Sequence, residues 1–295
     1  MSMSVVHSAV AAAGDVGTED FSAWIGREEQ HMQRIEATHV AAMAATLDLA
    51  QAPAEGDALP PGWQWLFFNP VVRRSGLGDD GHPKRGGFLP PIALPRRMWA
   101  GSRLRYLADV PVGATATRTS RILKVENKTG RRGQLWFVTV GHTVRCDGSD
   151  CIVEEQDIVY REPPAPGSAA PTPEPAPANA EWHRDVTPDT TLLFRYSALT
   201  FNGHRIHYDA PYAREVEGYP ALVVHGPLTA TLLQDFALSC RPGSRLAAFD
   251  FRGAMPLHVD APFTLQAAAQ ADGTLKLWAR SPDGGLAMTA NATLA

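Results

Sequence analysis

Residues 226–294 read GPLTATLLQDFALSCRPGSRLAAFDFRGAMPLHVDAPFTLQAAAQADGTLKLWARSPDGGLAMTANATL. The stretch divides by its own chemistry. Gly226 to Leu238 predicts a helix, with Pro227 at the first helical position, where a missing N–H costs nothing. Strand-like runs follow near Leu246–Phe251, Phe263–Ala271, Thr274–Arg280 and Leu286–Leu294. Asp272-Gly273 and Pro282-Asp283-Gly284 supply turn residues between them. One helix followed by an antiparallel meander is the result.

Working outward, a strand is expected near Thr190–Thr200, leading into a polar loop from Phe201 to Asp209. Upstream lies PPAPGSAAPTPEPAPA, residues 163–178, with seven prolines in sixteen positions. Such a run neither pairs as a strand nor continues as a helix, so it reads as an extended linker. It divides the chain into 1–162, a linker at 163–180, and 181–295. The first part repeats the theme of the second. A helix is expected from Trp24 to Leu47, starting near Thr18 with Glu19 and Asp20 in its first turn. Trp24, Ile25, Met32, Ile35, His39, Met43 and Leu47 recur on one face. Residues Pro60 to Arg97 read as irregular. Strands follow at Ala114–Glu126, Gln134–Arg145 and Ile152–Arg161, with turns at Asn127-Lys128-Thr129-Gly130 and Asp147-Gly148. The pattern alone gives an α+β fold of two similar antiparallel halves. A helix wrapped by a meander is the plan of a hotdog domain. The expectation is therefore a double hotdog, each half an antiparallel sheet around a central helix, the first half degenerate around its helix.

Bulk composition bounds the function. The chain has 295 residues, 44% hydrophobic and 20% charged, with a net charge of −4. That balance is globular and carries no global basic field calling for nucleic acid. No apolar run approaches the roughly 20 residues of a membrane span, and the alanine-rich N-terminus reads as a frayed tail, not a signal peptide. Cys146, Cys151 and Cys240 are too few for a disulfide framework and fit a reducing compartment, the cytoplasm.

Polar side chains concentrate in LFRYSALTFNGHRIHYDAPYAREVEGYPALVVHGPL, residues 193–228. Asn202, His204 and His207 share one loop, a common setting for function. Thr200-Phe201-Asn202-Gly203-His204-Arg205-Ile206-His207 resembles the catalytic loop of the MaoC-like, R-specific enoyl-CoA hydratase family. The run from Phe201 to Asp209, with its HRIHYD, is especially similar to the hydroxyacyl-thioester dehydratase type 2 branch. Residues 65–101 (WLFFNP, DDGHPKRGGFLPP and LPRRMWAG) resemble that branch's substrate-facing insert. The resemblance implies a hydro-lyase acting on an acyl-CoA thioester without a cofactor, with His207 as catalytic histidine. Asn202 stands where the wider family carries a catalytic aspartate; an amide does not titrate, but as donor and acceptor it can still fix the catalytic water. Either His207 shuttles both protons, or His204 or Asp209 takes part. Asp209 reads rather as a helix N-cap before Ala210-Pro211.

Hydration needs a base for water, a proton for the α-carbon and a partner for the enolate-like oxygen. Histidine suits the first task. Val223-Val224-His225-Gly226-Pro227 opens a helix whose unpaired N–H groups suit the third, and the resemblance assigns the oxyanion N–H to Gly226. His204, Arg205 and His225 are candidate substrate-binding residues beside the loop. Lys84, Arg85, Arg96, Arg97, Arg103 and Arg105 form a basic stretch. Within it Arg96, Arg97 and Trp99 are candidates for coenzyme A phosphate, for a substrate carboxylate, or for stacking against a flat ligand. His204-x-x-His207 lacks a third metal ligand at a convincing spacing, so no metal is expected. Hydratases of branched dicarboxylic acyl-CoA esters, itaconyl-CoA and mesaconyl-C4-CoA, share this build. The alternatives are a 3-hydroxyacyl-thioester dehydratase of fatty-acid metabolism, a hotdog thioesterase, or a non-catalytic acyl-CoA-binding protein. A homodimer is compatible with the architecture.

Overall fold

The protein is described by a computed structural model, covering residues 20–130, 133–163 and 172–295. The expected tail, the helix start at Thr18-Glu19 and residues 164–171 of the proline-rich stretch lie outside the described residues. Residues 172–180 contain no helix or strand beyond an isolated bridge of Pro175 to Gly285.

Among the described residues, ten strands form one antiparallel sheet. They are β1 (Glu28–Arg34), β2 (Arg96–Tyr106), β3 (Thr115–Gly130), β4 (Gly133–Cys146), β5 (Ser149–Arg161), β6 (Trp182–Val186), β7 (Leu246–Gly253), β8 (Phe263–Ala269), β9 (Leu275–Arg280) and β10 (Leu286–Leu294). Their order across the sheet is β1-β3-β4-β5-β2-β7-β10-β9-β8-β6. Read from each outer edge inward, the two halves have the same connectivity, so β2 and β7 meet at a pseudo-two-fold axis. That central pair runs from Gly101 opposite Arg252 to Arg105 opposite Ala248. β2 bulges between Trp99 and Gly101 against β5, and a side chain at Gly101 would collide with the carbonyl of Phe251. Glycine is therefore required where the two halves join.

Among the described residues three α-helices accompany the sheet: α1 (Ala37–Thr46), α2 (Thr190–Leu199) and α3 (Gly226–Cys240). α3 is the helix that the second-half meander wraps. Leu228, Ala230, Leu233, Phe236 and Ala237 are buried, and α3 contacts β7, β8, β9 and β10. A helix apolar on nearly every side must be enclosed. The first half keeps the plan in degenerate form. α1 is short and packs against α2. The inner face of β3–β5 instead faces the irregular segment carrying Trp65, Phe88 and Leu89, with Glu154, His142 and Arg118 around a cavity of about 240 Å³.

The structure corrects several sequence expectations. The helix expected from Trp24 to Leu47 is a single turn at Ser22–Trp24, then edge strand β1, then α1. The strand expected at Thr190–Thr200 is α2. Asp189 caps it, its side chain accepting from the Leu192 N–H at 2.7 Å, and Leu193, Tyr196 and Ser197 are buried at helical spacing. β2 and β6 were not anticipated. The ladder of β3 and β4 runs on through Asn127–Gly130, so the residues expected to turn are strand. The Asp147-Gly148 turn stands as expected, both residues at positive φ. The four strands after α3 and the three at β3–β5 also match.

Candidate active site

α2 delivers the polar loop. It ends in a left-handed cap at Phe201, with the Asn202 N–H bonded to the Ser197 carbonyl at 2.8 Å and the Phe201 N–H to that of Ala198 at 3.3 Å. This is the paired closure usually built on glycine. It throws Phe201 out to solvent and turns the chain back toward the core. Asn202 Oδ1 then accepts from the His204 N–H at 3.0 Å. A single 3₁₀ turn, Arg205–His207, buries Ile206 and His207.

His207 is fixed in one tautomer. Its Nδ1 lies 2.7 Å from the carbonyl oxygen of Val223. A carbonyl only accepts, so Nδ1 carries the hydrogen and Nε2 keeps a free lone pair. The ring stacks on His225, centroids 3.7 Å apart and planes within 19°. Burial pushes its pKa down to about 4, against the Val223 hydrogen bond, so the imidazole is neutral near pH 7.

His225 immediately precedes α3. It is fully buried, with Nε2 2.8 Å from Ser197 Oγ, the ring beside Tyr196, and Nδ1 without a hydrogen-bond partner among the described residues. Burial holds it well below the ordinary histidine range. Gly226 follows as the first residue of α3, and apart from the adjoining backbone nothing lies within 4 Å of the point where a side chain would project. Its N–H belongs to the unpaired first turn of a 15-residue helix. The Val223 bond and the His225 stack thus bring His207 to the mouth of α3.

Two residues that the sequence reading did not single out join the cluster. Asp80 and His82 lie on the insert loop, Nδ1 of His82 being 2.9 Å from Asp80 Oδ2. The His82 ring sits 4.1 Å from that of His204, and the His204 ring 5.4 Å from that of His207. Ligand-type atoms of Asp80, His82 and His204 lie within 4.8 Å of one another. Burial drives His204 down to about 2, with the neighbouring histidines adding to it. Burial also lowers His82, opposed by Asp80 and reinforced by Arg97 and Arg85. Burial would raise Asp80, but its bonds with His82 hold it well below the usual carboxylate range. The signal available beforehand was an Asp and a His two apart, flanked by Gly78, Gly81 and Pro83.

The insert is clamped to the polar loop. The Arg205 N–H donates to the Asp80 carbonyl at 2.9 Å, and Arg205 Nη1 to that of Asp79 at 3.0 Å. Gly81 is at φ +86°, and a side chain there would collide with the Gly203 carbonyl. Only glycine permits that approach. Arg205 also pairs with Asp209 at 2.7 Å and lies over the Tyr212 ring. It braces two loops, with Nε, Nη1 and Nη2 each engaged in a hydrogen bond. Asp209 Oδ1 accepts from the Tyr212 N–H at 3.1 Å, the capping role expected of it.

The basic stretch disperses. Arg96 pairs with Glu217 at 3.1 Å, and Arg103 with Glu155 and Asp157. Arg85 donates to the carbonyls of Ile92 and Pro95. Trp99 donates to Ser102 Oγ and the Gly101 carbonyl, packs edge-on to Trp65, and faces the first-half cavity. Arg97, whose charge acts on both His82 and His204, makes no ion pair among the described residues.

The family model for hydroxyacyl-thioester dehydratase type 2 matches residues 62–259, spanning both the insert and the His207 loop. The chain belongs to this family. As a member, it is 48% identical to mesaconyl-C(4)-CoA hydratase of Chloroflexus aurantiacus over 95% of this chain and 99% of that one. Among solved structures, HtdX of Mycobacterium tuberculosis aligns with a TM-score of 0.65 at 20% identity, over 90% of this chain and 99% of its own. A second M. tuberculosis protein, described as having a double hotdog fold, aligns with a TM-score of 0.56 at 14% identity, over 92% and 96%. At those identities the likeness is one of fold, and the fold of this dehydratase-family chain is a double hotdog.

Proposed function

We propose that this chain is an acyl-CoA hydratase, reversibly adding water to an unsaturated thioester, and that its substrate is a short branched dicarboxylic ester of the mesaconyl-C4-CoA kind. The observation that carries the reading is His207, neutral, with a bare Nε2, stacked on the residue that opens α3. In hydration, Nε2 takes a proton from water as the oxygen bonds to the β-carbon. The π pair moves toward the thioester oxygen, which the Gly226 N–H stabilises. Asn202 orients the polar loop through its bond to the His204 N–H.

In a mesaconyl-C4 thioester the free carboxylate sits on the carbon that receives the hydroxyl. A cation is then wanted near the site, and we assign that role to Arg97, whose charge acts on His82 and His204. Its planar fork suits a carboxylate. The 48% relative, matched along almost its whole length, supports the same substrate class. The three cysteines, all free and buried, are in keeping with a reducing cytoplasm. No described helix is long and apolar enough to cross a membrane.

The test is loss of enoyl-thioester absorbance with mesaconyl-C4-, itaconyl-, crotonyl- and long-chain enoyl-CoA. The highest kcat/KM is expected with the branched dicarboxylic esters. Preference for the long-chain ester would favour 3-hydroxyacyl-thioester dehydration in fatty-acid metabolism.

A further inference from the structure

A hydratase of this kind must deliver a proton to the α-carbon as well as remove one from water. The wider family's loop aspartate is absent here, and Asn202 Oδ1 is already engaged by the His204 N–H. Of the other two candidates in the loop, Asp209 is consumed by Arg205 and the Tyr212 N–H. Among the described residues no carboxylate is hydrogen-bonded to the His204 ring, and Asp80 acts on it only through its charge. A carboxylate–imidazole pair is nevertheless present, supplied by the insert. Three features hold it against the loop: the two Arg205 bonds, the Gly81–Gly203 approach, and the 4.1 Å packing of His82 on His204.

We propose that the Asp80–His82 pair is the second proton-transfer group of this site, standing in for the carboxylate that Asn202 cannot provide. Asp80 Oδ2 and Oδ1 accept from Nδ1 and from the backbone N–H of His82, both at 2.9 Å, which fixes the ring and leaves Nε2 as the transferring atom. Such an arrangement stabilises the imidazolium when it forms. In the hydration direction His207 Nε2 takes a proton from water, and the water oxygen bonds to the β-carbon. The enolate pair then forms a C–H bond at the α-carbon with the proton from Nε2 of the His82 imidazolium, and the thioester carbonyl is restored. After product leaves, the proton on His207 exchanges with water, and His82 is reprotonated from the same source. Dehydration runs the same steps in reverse.

The charges facing His82 are Asp80 on its own loop, Arg85 and Arg97 from the insert and β2, and His204 and His207 from the polar loop. Burial opposes the imidazolium most, Arg97 and Arg85 add to that opposition, and Asp80 favours it. A substrate carboxylate beside Arg97 offsets the arginine's share of that opposition, so binding the dicarboxylic ester shifts His82 toward the imidazolium. The same cluster has a metal-like spacing. Two observations favour the proton-transfer role: Asp80 already accepts two hydrogen bonds from His82, and the Arg97 charge would face any cation placed there.

This inference rests on the hydratase reading. The experiment is steady-state kinetics, across pH, of wild type, His82→Gln and Asp80→Asn with the best ester of the panel, each variant checked by thermal melting. For His82→Gln, kcat is expected to fall about 100-fold, the lower range for a lost general acid, with KM within threefold. For Asp80→Asn, the alkaline limb of the kcat profile is expected to move to lower pH, because His82 protonates less readily without its carboxylate. A purely structural role would not move that limb. Turnover within threefold of wild type in His82→Gln, or an unmoved limb in Asp80→Asn, overturns the proposal while wild-type activity keeps the hydratase reading. No wild-type turnover of any ester defeats the hydratase reading itself. Wild-type activity that is lost to a chelator and restored by zinc overturns the proton-transfer role in favour of a metal.

Discussion

Val223 sets the chemistry of His207: its carbonyl oxygen, 2.7 Å from Nδ1, determines which ring nitrogen is bare. The same short segment leads directly into His225 and Gly226, so one stretch of backbone fixes both the base and the helix mouth. At neutral pH, nitrogen NMR of the His207 ring is expected to show a protonated Nδ1 and an unprotonated Nε2. A protonated Nε2 with a bare Nδ1 would contradict the bonding described here.

Buried histidines tie stability to pH. His142, His204 and His207 all have folded-state values pushed below 6.5 by burial, to about 4, about 2 and about 4. In the unfolded chain they titrate near 6.5. Between those limits the unfolded state binds more protons, so stability is full above about pH 6.5 and declines as pH falls toward 4. Thermal melts are expected to show Tm dropping steadily over that window. A Tm flat from pH 7 to 4.5 would mean that these rings are solvated or paired with acids.

Arg97 is expected to read the free carboxylate. Arg97→Met should lower kcat/KM for the mesaconyl-C4 ester about 10- to 100-fold, the scale of one charge-assisted hydrogen-bonded pair. Crotonyl-CoA, which lacks the carboxylate, should change by less than threefold. An equal loss on both esters would assign Arg97 to coenzyme A or to structure instead.

Much of the fold was legible because α3 and the strands after it obey local rules: proline at the helix start, Asp-Gly turns, apolar runs of strand length. The exceptions have physical causes. Glu28–Arg34 is an edge strand exposed along its length, so no alternation of burial marks it. Thr190–Leu199 carries two threonines and two aromatics, residues that favour strands, and the Asp189 cap together with burial of Leu193, Tyr196 and Ser197 decides for helix. In the candidate site, His204, His207, His225 and Gly226 are legible as a cluster because they lie within one stretch of sequence. Asp80 and His82 reach the loop from more than 100 residues away, through a Gly81–Gly203 contact that no periodicity announces. The arginines show the converse. Arg96 and Arg103 look free in sequence, yet Glu217 and the neighbouring strand β5 claim them.

The central claim is that Nε2 of His207 removes the proton from water. Its most direct test is kcat for mesaconyl-C4-CoA hydration by His207→Gln, with binding of the ester followed separately by calorimetry. Turnover is expected to fall at least 100-fold while the ester still binds within a few-fold of wild type. Turnover close to wild type in a folded His207→Gln protein would contradict the account.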